Sequence, residues 1–260
     1  MSLLGQVSAT LNKTIKEFLR QKTVLFWTIA WPIIWVLIGS FSFTGNVPDE
    51  MIPYTRGSIT ISMMSFALMT AGMANLPGNI AEDRERGLLS KLMSMPVRPW
   101  RDSIGRILAL LAFSSLAAVL VILVGFVCGA RFSCTMTGVL ESIGFLLLTS
   151  FASAGLGMLI GTFIKHVHGA IMTGVGISVV TASISGVMAP YASLPELLQN
   201  FARIYPISSV NSSITYLLAG EKYAGYIPLT TSQTTLTTII SILLFAAGLI
   251  AYSRFCWRKE

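Results

Sequence analysis

The sequence predicts an all-α polytopic membrane protein built on six transmembrane helices, and three observations carry that prediction. Charged residues make up 11% of the 260-residue chain, against roughly 25% in an ordinary soluble domain. Hydrophobic residues make up 53%. The apolar residues also gather into six separate runs, each close to the ~20 residues needed to cross a hydrocarbon core of about 30 Å. A soluble fold of this length needs a charged surface that the chain lacks, and lipid as the solvent removes the need. The net charge of +7 does not indicate a nucleic-acid partner. Its cations sit in short clusters between long uncharged runs, the placement that orients membrane helices.

The six runs are 24–43, 58–77, 107–129, 139–163, 169–188 and 234–252. Apart from Glu141, close to one boundary, they contain no Asp, Glu, Lys, Arg or His. This is expected of plain spans, since a charge at mid-membrane costs about 2.5–3.5 kcal/mol on insertion scales. With the N-terminus inside, the inner segments hold 14 of the 18 Lys and Arg residues and the outer segments hold 4. The outer four are Arg56, Arg131, Arg203 and Lys222. The bias toward positive inner loops therefore predicts that both termini are cytoplasmic. The first apolar run lacks a clear small-residue cleavage site and reads as a span, not a cleaved signal.

Three segments outside the spans carry the functional information. In segment 1–22, Leu4, Val7, Leu11, Ile15 and Phe18 recur at helical spacing, with Lys13, Lys16, Glu17 and Arg20 off the stripe. One reading is an amphipathic helix lying on the membrane surface, and the other is a basic flank that only orients the first span. Segment 81–105 concentrates charge in the run EDRERGLLSKLMSMPVRPW. Leu88, Leu92 and Met95 share a helical face there, with Leu89 and Met93 beside it, and Pro96 ends the helix. A solvated loop has no use for an apolar face, whereas a partner protein would bury it. Segment 189–233 is long for a connection and reads as a helical hairpin. Leu194, Leu197, Leu198, Phe201 and Ile204 form one stripe, and Ile207, Val210, Ile214, Leu217 and Leu218 a second. Pro195 precedes the first helix, Tyr205 and Pro206 mark the break, and Gly220 is the stop. Each helix is too short to span, so a re-entrant or interfacial hairpin is expected, with an exposed cap as the alternative.

Other features are less specific. Cys128 and Cys134 fall near one outer boundary, where a disulfide or two separate small residues both fit. No Cys or His spacing indicates a metal site, and His166 and His168 share a short inner loop with Lys165. Ser153, Gly157 and Gly161 on the fourth span, and Gly174, Ser178 and Ala182 on the fifth, are small-residue series for close helix packing, within the chain or between two copies. Met63, Met69 and Met73 on the second span, with Trp31 and Trp35 on the first, either line a path for an apolar substrate or fill ordinary packing. Trp27 reads as an interface anchor, and Pro32 as the cause of a kink.

These features together resemble the permease subunit of ABC transporters of the type-2 exporter membrane family. The inner loop is the specific part. Members commonly show an acid-rich stretch, then Arg-Glu-Lys-Gly-Thr-Leu-Glu, a Leu and Pro-Val. Arg84, Glu85, Arg86, Gly87, Leu89, Leu92, Pro96 and Val97 match that pattern, whereas Leu88 and Ser90 replace its Thr and Glu. The layout is similar over the whole chain.

The resemblance implies that the loop between spans 2 and 3 is a cytoplasmic coupling helix docking into a separate nucleotide-binding subunit. Leu88, Leu89, Leu92 and Met95 would then dock after Gly87, with Glu82, Asp83, Arg84, Glu85 and Arg86 supplying orienting polar contacts. It also implies two P-loop ATPase subunits and a second permease subunit, identical or related, with spans 1 and 5 at the seam. The setting is the lipid bilayer of the cytoplasmic (plasma) membrane, and outward movement of a lipid-like, drug-like or glycan-linked substrate is implied. ATP and Mg belong to the partner, because no Lys here follows a Gly as a P-loop requires. An ATP-independent secondary transporter or channel is the alternative. Ion-coupled carriers, however, place ionisable residues inside the membrane, and the six runs hold almost none.

Overall fold

The computed structural model describes residues 3–257 other than 44, 46, 96, 97, 134 and 190. Pro96, Val97, Cys134 (and with it any pairing to Cys128), Arg258, Lys259 and the side chain of Leu4 therefore lie outside the described residues. Among the described residues the regular structure is all helix, with six helices long and apolar enough to cross a membrane. In chain order the elements are α1 (Leu3–Arg20), α2 (Lys22–Ser42), α3 (Asp49–Glu85), α4 (Leu88–Met93), α5 (Pro99–Val127), α6 (Met136–Phe163), α7 (Val167–Ile184), α8 (Glu196–Ile204), α9 (Pro206–Ala219), α10 (Glu221–Ala224) and α11 (Thr231–Cys256). The spans are α2, α3, α5, α6, α7 and α11. Helices α1 and α4 and the chain's C-terminal end lie at one end of the bundle, here called the basic end. The α8–α9 pair lies toward the far end.

Helix α3 is the axis of the bundle. Buried residues make up 89% of its most apolar stretch, against 22–44% for the other five spans. Helices α2, α5, α6, α7 and α9 all pack on it. At 37 residues it is about 55 Å long by the helical rise, well beyond the ~30 Å hydrocarbon thickness. The sequence pattern predicted only 58–77 as span. The helix in fact continues through the acid-rich run to Glu85, so residues 81–85 are helix, not loop.

Close approach to α3 rests on small residues. A Cβ on Gly174 of α7 would lie 1.8 Å from the Met73 carbonyl oxygen, and one on Gly157 of α6 would lie 2.0 Å from that of Gly72. Gly155 and Gly248 bring α6 and α11 together in the same way. Both small-residue series are thus used inside the subunit, including the α7 series that the family pattern would associate with the seam.

Three π-turns interrupt the spans: Phe26–Ala30, Ala71–Asn75 and Tyr252–Cys256. The first two end two residues before Pro32 and Pro77 respectively. A proline inside a helix lacks its N–H and crowds the carbonyl four residues back, and a widened turn relieves both. The two π-turns meet, with Thr28 and Asn75 hydrogen-bonding side chain to side chain at 3.0–3.2 Å with neither exposed.

At the far end, Arg56 of α3 donates to the Ser40 carbonyl at 3.1 Å and to the Cys128 carbonyl at 2.9 Å. It thereby satisfies the C-terminal ends of α2 and α5 together. The expected pair of short helices is present, broken at Tyr205–Pro206 and stopped at Gly220 with φ +99°. Helix α9 is buried along its length against α3, α6 and α11, with Ile207, Val210 and Ile214 in the core. By contrast, Leu197, Phe201 and Ile204 of α8 are exposed.

Gly174→Ala is expected to destabilise the protein by about 1–3 kcal/mol through overpacking. Gly176→Ala, whose Cβ meets nothing within 4 Å, is expected to be neutral or slightly stabilising. Thermal unfolding of both variants in detergent checks this.

Candidate coupling face and the charge cluster behind it

The run Glu82-Asp83-Arg84-Glu85 closes α3. Successive helical residues point about 100° apart, so on a helix surrounded by others each of the four meets a different neighbour. Glu82 accepts from Gln21, at the end of α1, at 2.5 Å. Asp83 accepts from Lys13 of α1 and from Arg106 of α5. Arg84 donates to the Thr162 carbonyl of α6 at 3.1 Å and to Cys256 Sγ of α11 at 2.9 Å. Glu85 Oε1 accepts from the Val167 backbone N–H at 3.0 Å, capping the N-terminus of α7. The sequence reading assigned all four to polar contacts with a partner. The structure spends them within the chain, and Asp83 is wholly buried.

Around Asp83 lies a cluster that the sequence did not reveal. Arg106 and Asp102 are 0% and 2% exposed. Arg106 Nε donates to Asp102 Oδ2 at 2.7 Å, and its other nitrogens donate to Asn79 Oδ1 and Asp83 Oδ2. Tyr252 of α11 donates to Asp102 Oδ2 at 2.6 Å. On the α1 side, Thr10 donates to Asp102 Oδ1 at 3.3 Å, Asn79 donates to Glu17, and Lys13 pairs with Glu17 at 3.3 Å. Burial holds the Glu17 carboxyl above its ordinary value despite Lys13, with Asp83 and Glu82 adding to the rise. Such density is required, because an ion taken out of water is tolerated only when paired and hydrogen-bonded.

The same contacts hold α1 against the bundle. Gln6, Thr14 and Phe18 are buried, Lys13 and Glu17 are half-buried and paired, and Val7, Leu11 and Ile15 of the apolar stripe are half-buried beside them. Ser8, Ala9, Asn12, Lys16 and Arg20 lie on the exposed side. Phe18 is wedged on Phe113 with ring centroids 5.4 Å apart.

Beyond the cluster the chain turns at Gly87, with φ +68°, a conformation that glycine adopts without strain. Helix α4 follows and packs mainly on the end of α3. Leu89 is buried beneath it, Leu88 and Leu92 are half-exposed, and Met95 is exposed. Arg86, Lys91 and Arg98 are exposed around that apolar face, and Arg86 pairs with Glu82.

The residues expected along a substrate path divide. Met69 and Met73 are fully buried. They lie beneath the break between α8 and α9, where Tyr205 Oη approaches their sulfurs at 3.9 and 4.0 Å and Thr181 at 3.5 Å. Burial pushes the Tyr205 hydroxyl up to about 12, and its ring stacks on Phe201 at 5.4 Å. Trp27, Trp31 and Trp35 form a half-exposed ladder along α2, continued by the exposed Phe43 at its C-cap, with successive ring centroids 5.5–6.4 Å apart. Its far end joins Met63 on the wall of a cavity. Pro195 is the N-cap of α8.

Removing one partner of a buried ion pair strands the other, at a cost of about 3–5 kcal/mol. Arg106→Met is therefore expected to unfold or aggregate the protein in detergent. The combination Asp83→Leu with Arg106→Met is expected to recover part of the loss. Size-exclusion profiles and thermal unfolding distinguish the two.

A comparison with curated proteins returns no match. The family model described as ABC-2 type transporter matches residues 5–219, which run from α1 to the last residue of α9. That span takes in α4, the charged end of α3 and the two short helices α8 and α9, the segments on which the resemblance rested. The chain is thus a multi-pass membrane protein of the ABC-2 type transporter family.

Proposed function

We propose that this chain is the permease subunit of an ATP-driven exporter, and that α4 is the helix through which separate ATP-hydrolysing subunits move it. The observation that supports this reading best is the partly exposed apolar face of α4 (Leu88, Leu92), continued by the exposed Met95 just past its end. It sits beyond a glycine turn on a helix end fastened to α1, α5, α6, α7 and α11. A push on α4 would thus reach most of the bundle through α3.

The exposed surroundings are cationic (Arg86, Lys91, Arg98), so the partner groove is apolar with an acidic rim. In this reading the basic end faces the cytoplasm, as the distribution of Lys and Arg supports. Two such permeases, identical or related, work with two ATPases that hold ATP and Mg. The substrate is a lipid-like, drug-like or glycan-linked molecule moved outward. A carrier without ATP would instead draw on the Asp83–Arg106–Asp102 cluster. Those charges are mutually paired at one end of the bundle, which favours a structural use.

The test is affinity purification of the tagged chain in mild detergent, with mass spectrometry of what accompanies it. A stoichiometric P-loop ATPase is expected. Leu92→Asp is expected to insert normally but to reduce the retained ATPase by about tenfold or more, because a buried apolar contact becomes an unpaired charge. Ser90→Glu, at an exposed position, is expected to retain it. Equal retention by Leu92→Asp would remove α4 from the interface.

A further inference from the structure

Toward the far end, α2, α3, α9, α10 and the turn after α7 enclose a cavity of about 560 Å³. Its size is that of sites that bury a drug-sized molecule, or a headgroup with the first part of a chain. The wall is mixed. Trp35, Ile59, Met63 and Met188 are among its apolar members, and Ser62, Asn211 and Thr215 are among its polar ones.

Two polar atoms of these lining residues have no hydrogen-bond partner. Asn211 Oδ1 and Thr215 Oγ1 are buried and unsatisfied, on residues only 4% and 3% exposed. Asn211 Nδ2, by contrast, is used, donating to Ser62 Oγ at 3.4 Å. The orphan at Thr215 stands out among its neighbours. Ser213 of α9 and Thr237 and Ser241 of α11 all fold back onto the carbonyl four residues earlier, whereas Thr215, which lines the cavity, makes no such bond. A buried polar atom without a partner is costly. Here the missing partner for Asn211 must be a donor, because an amide oxygen only accepts. The charged group on the wall is Lys222. Glu221 precedes it on α10 but does not line the cavity, and no carboxylate does among the described residues.

We propose that this cavity binds a neutral or singly anionic amphiphile whose head donates O–H or N–H hydrogen bonds. The head sits on Asn211 and Thr215, and the apolar body lies against Trp35 and Met63. This names the substrate class of the transport reading above and rests on it. Cationic amphiphiles are disfavoured by Lys222 and find no counter-charge. The aromatic ladder of α2 leads to the site, so an apolar body has a continuous half-exposed surface along which to arrive.

The experiment uses the full chain, purified and placed in lipid nanodiscs, with Cys128, Cys134 and Cys256 replaced by alanine and Ser58→Cys on the cavity wall as reporter. N-ethylmaleimide labelling of that cysteine is followed with two probes of equal chain length, 1-monolauroylglycerol and dodecyltrimethylammonium. Monolauroylglycerol is expected to protect, and dodecyltrimethylammonium is not. Asn211→Leu and the nearly isosteric Thr215→Val are each expected to raise the half-protecting concentration about tenfold, with labelling in the absence of probe unchanged. Equal protection by both probes would reveal partition into the bilayer only. Protection indifferent to both substitutions, or a reporter that never labels, would likewise overturn the site. The assay contains no ATPase. A failure here beside a co-purifying ATPase sinks the site and spares the transport reading, and the converse pair of results does the reverse.

Discussion

Every other element of this bundle answers to the burial of α3. A helix exposed on one side can send its awkward side chains outward, but a helix enclosed on all sides cannot. Across the membrane interior α3 meets this with methionines, small residues and the close approach of Gly157 and Gly174. At its basic end it carries four consecutive charged residues, and each must be neutralised or hydrogen-bonded by whichever neighbour it points toward. The bundle is accordingly fastened at that end by side chains of α3 and at the far end by Arg56, with a largely apolar midsection between.

The spans themselves were legible in the sequence, because lipid demands an unbroken apolar run and the chain has little else to offer there. Their ends were not. Asp83, Asp102 and Arg106 read as loop charges, since nothing in a single sequence indicates that residues 83 and 106 will share one buried site. Once paired, they let α3 and α5 extend past the apolar limit. The inward contacts of α1 were hidden for a related reason. Its apolar stripe is a local pattern, whereas the engagement of Lys13 and Glu17 depends on Asp83 and Asn79, far along the chain. Periodicity located the two short helices α8 and α9 and the stop at Gly220. It could not show that Met69 and Met73 lie under Tyr205 while Met63 reaches a cavity, because all three share one helix and differ only in what packs against them.

The π-turns show how a local covalent constraint becomes a tertiary one. Pro32 and Pro77 each disturb the hydrogen-bond ladder behind them, and each is preceded by a widened turn. The two widened turns are placed side by side, and Thr28 and Asn75 bond across them. Two separately weakened stretches thus support each other between the charged end and the cavity.

The turn at Gly87 also divides the inner segment into two kinds of evolutionary site. On one side, Asp83 answers to Lys13 and Arg106, and Arg84 and Glu85 to α6, α11 and α7, so a change at any of them needs a matching change elsewhere in the same gene. On the other side, Ser90 and Lys91 answer to little within the chain and, with α4 docking as proposed, are free to drift in step with a different polypeptide. Relatives of this protein would then carry two superimposed records in one short motif. One tracks the permease's own interior, and the other tracks the lineage of whatever it docks to.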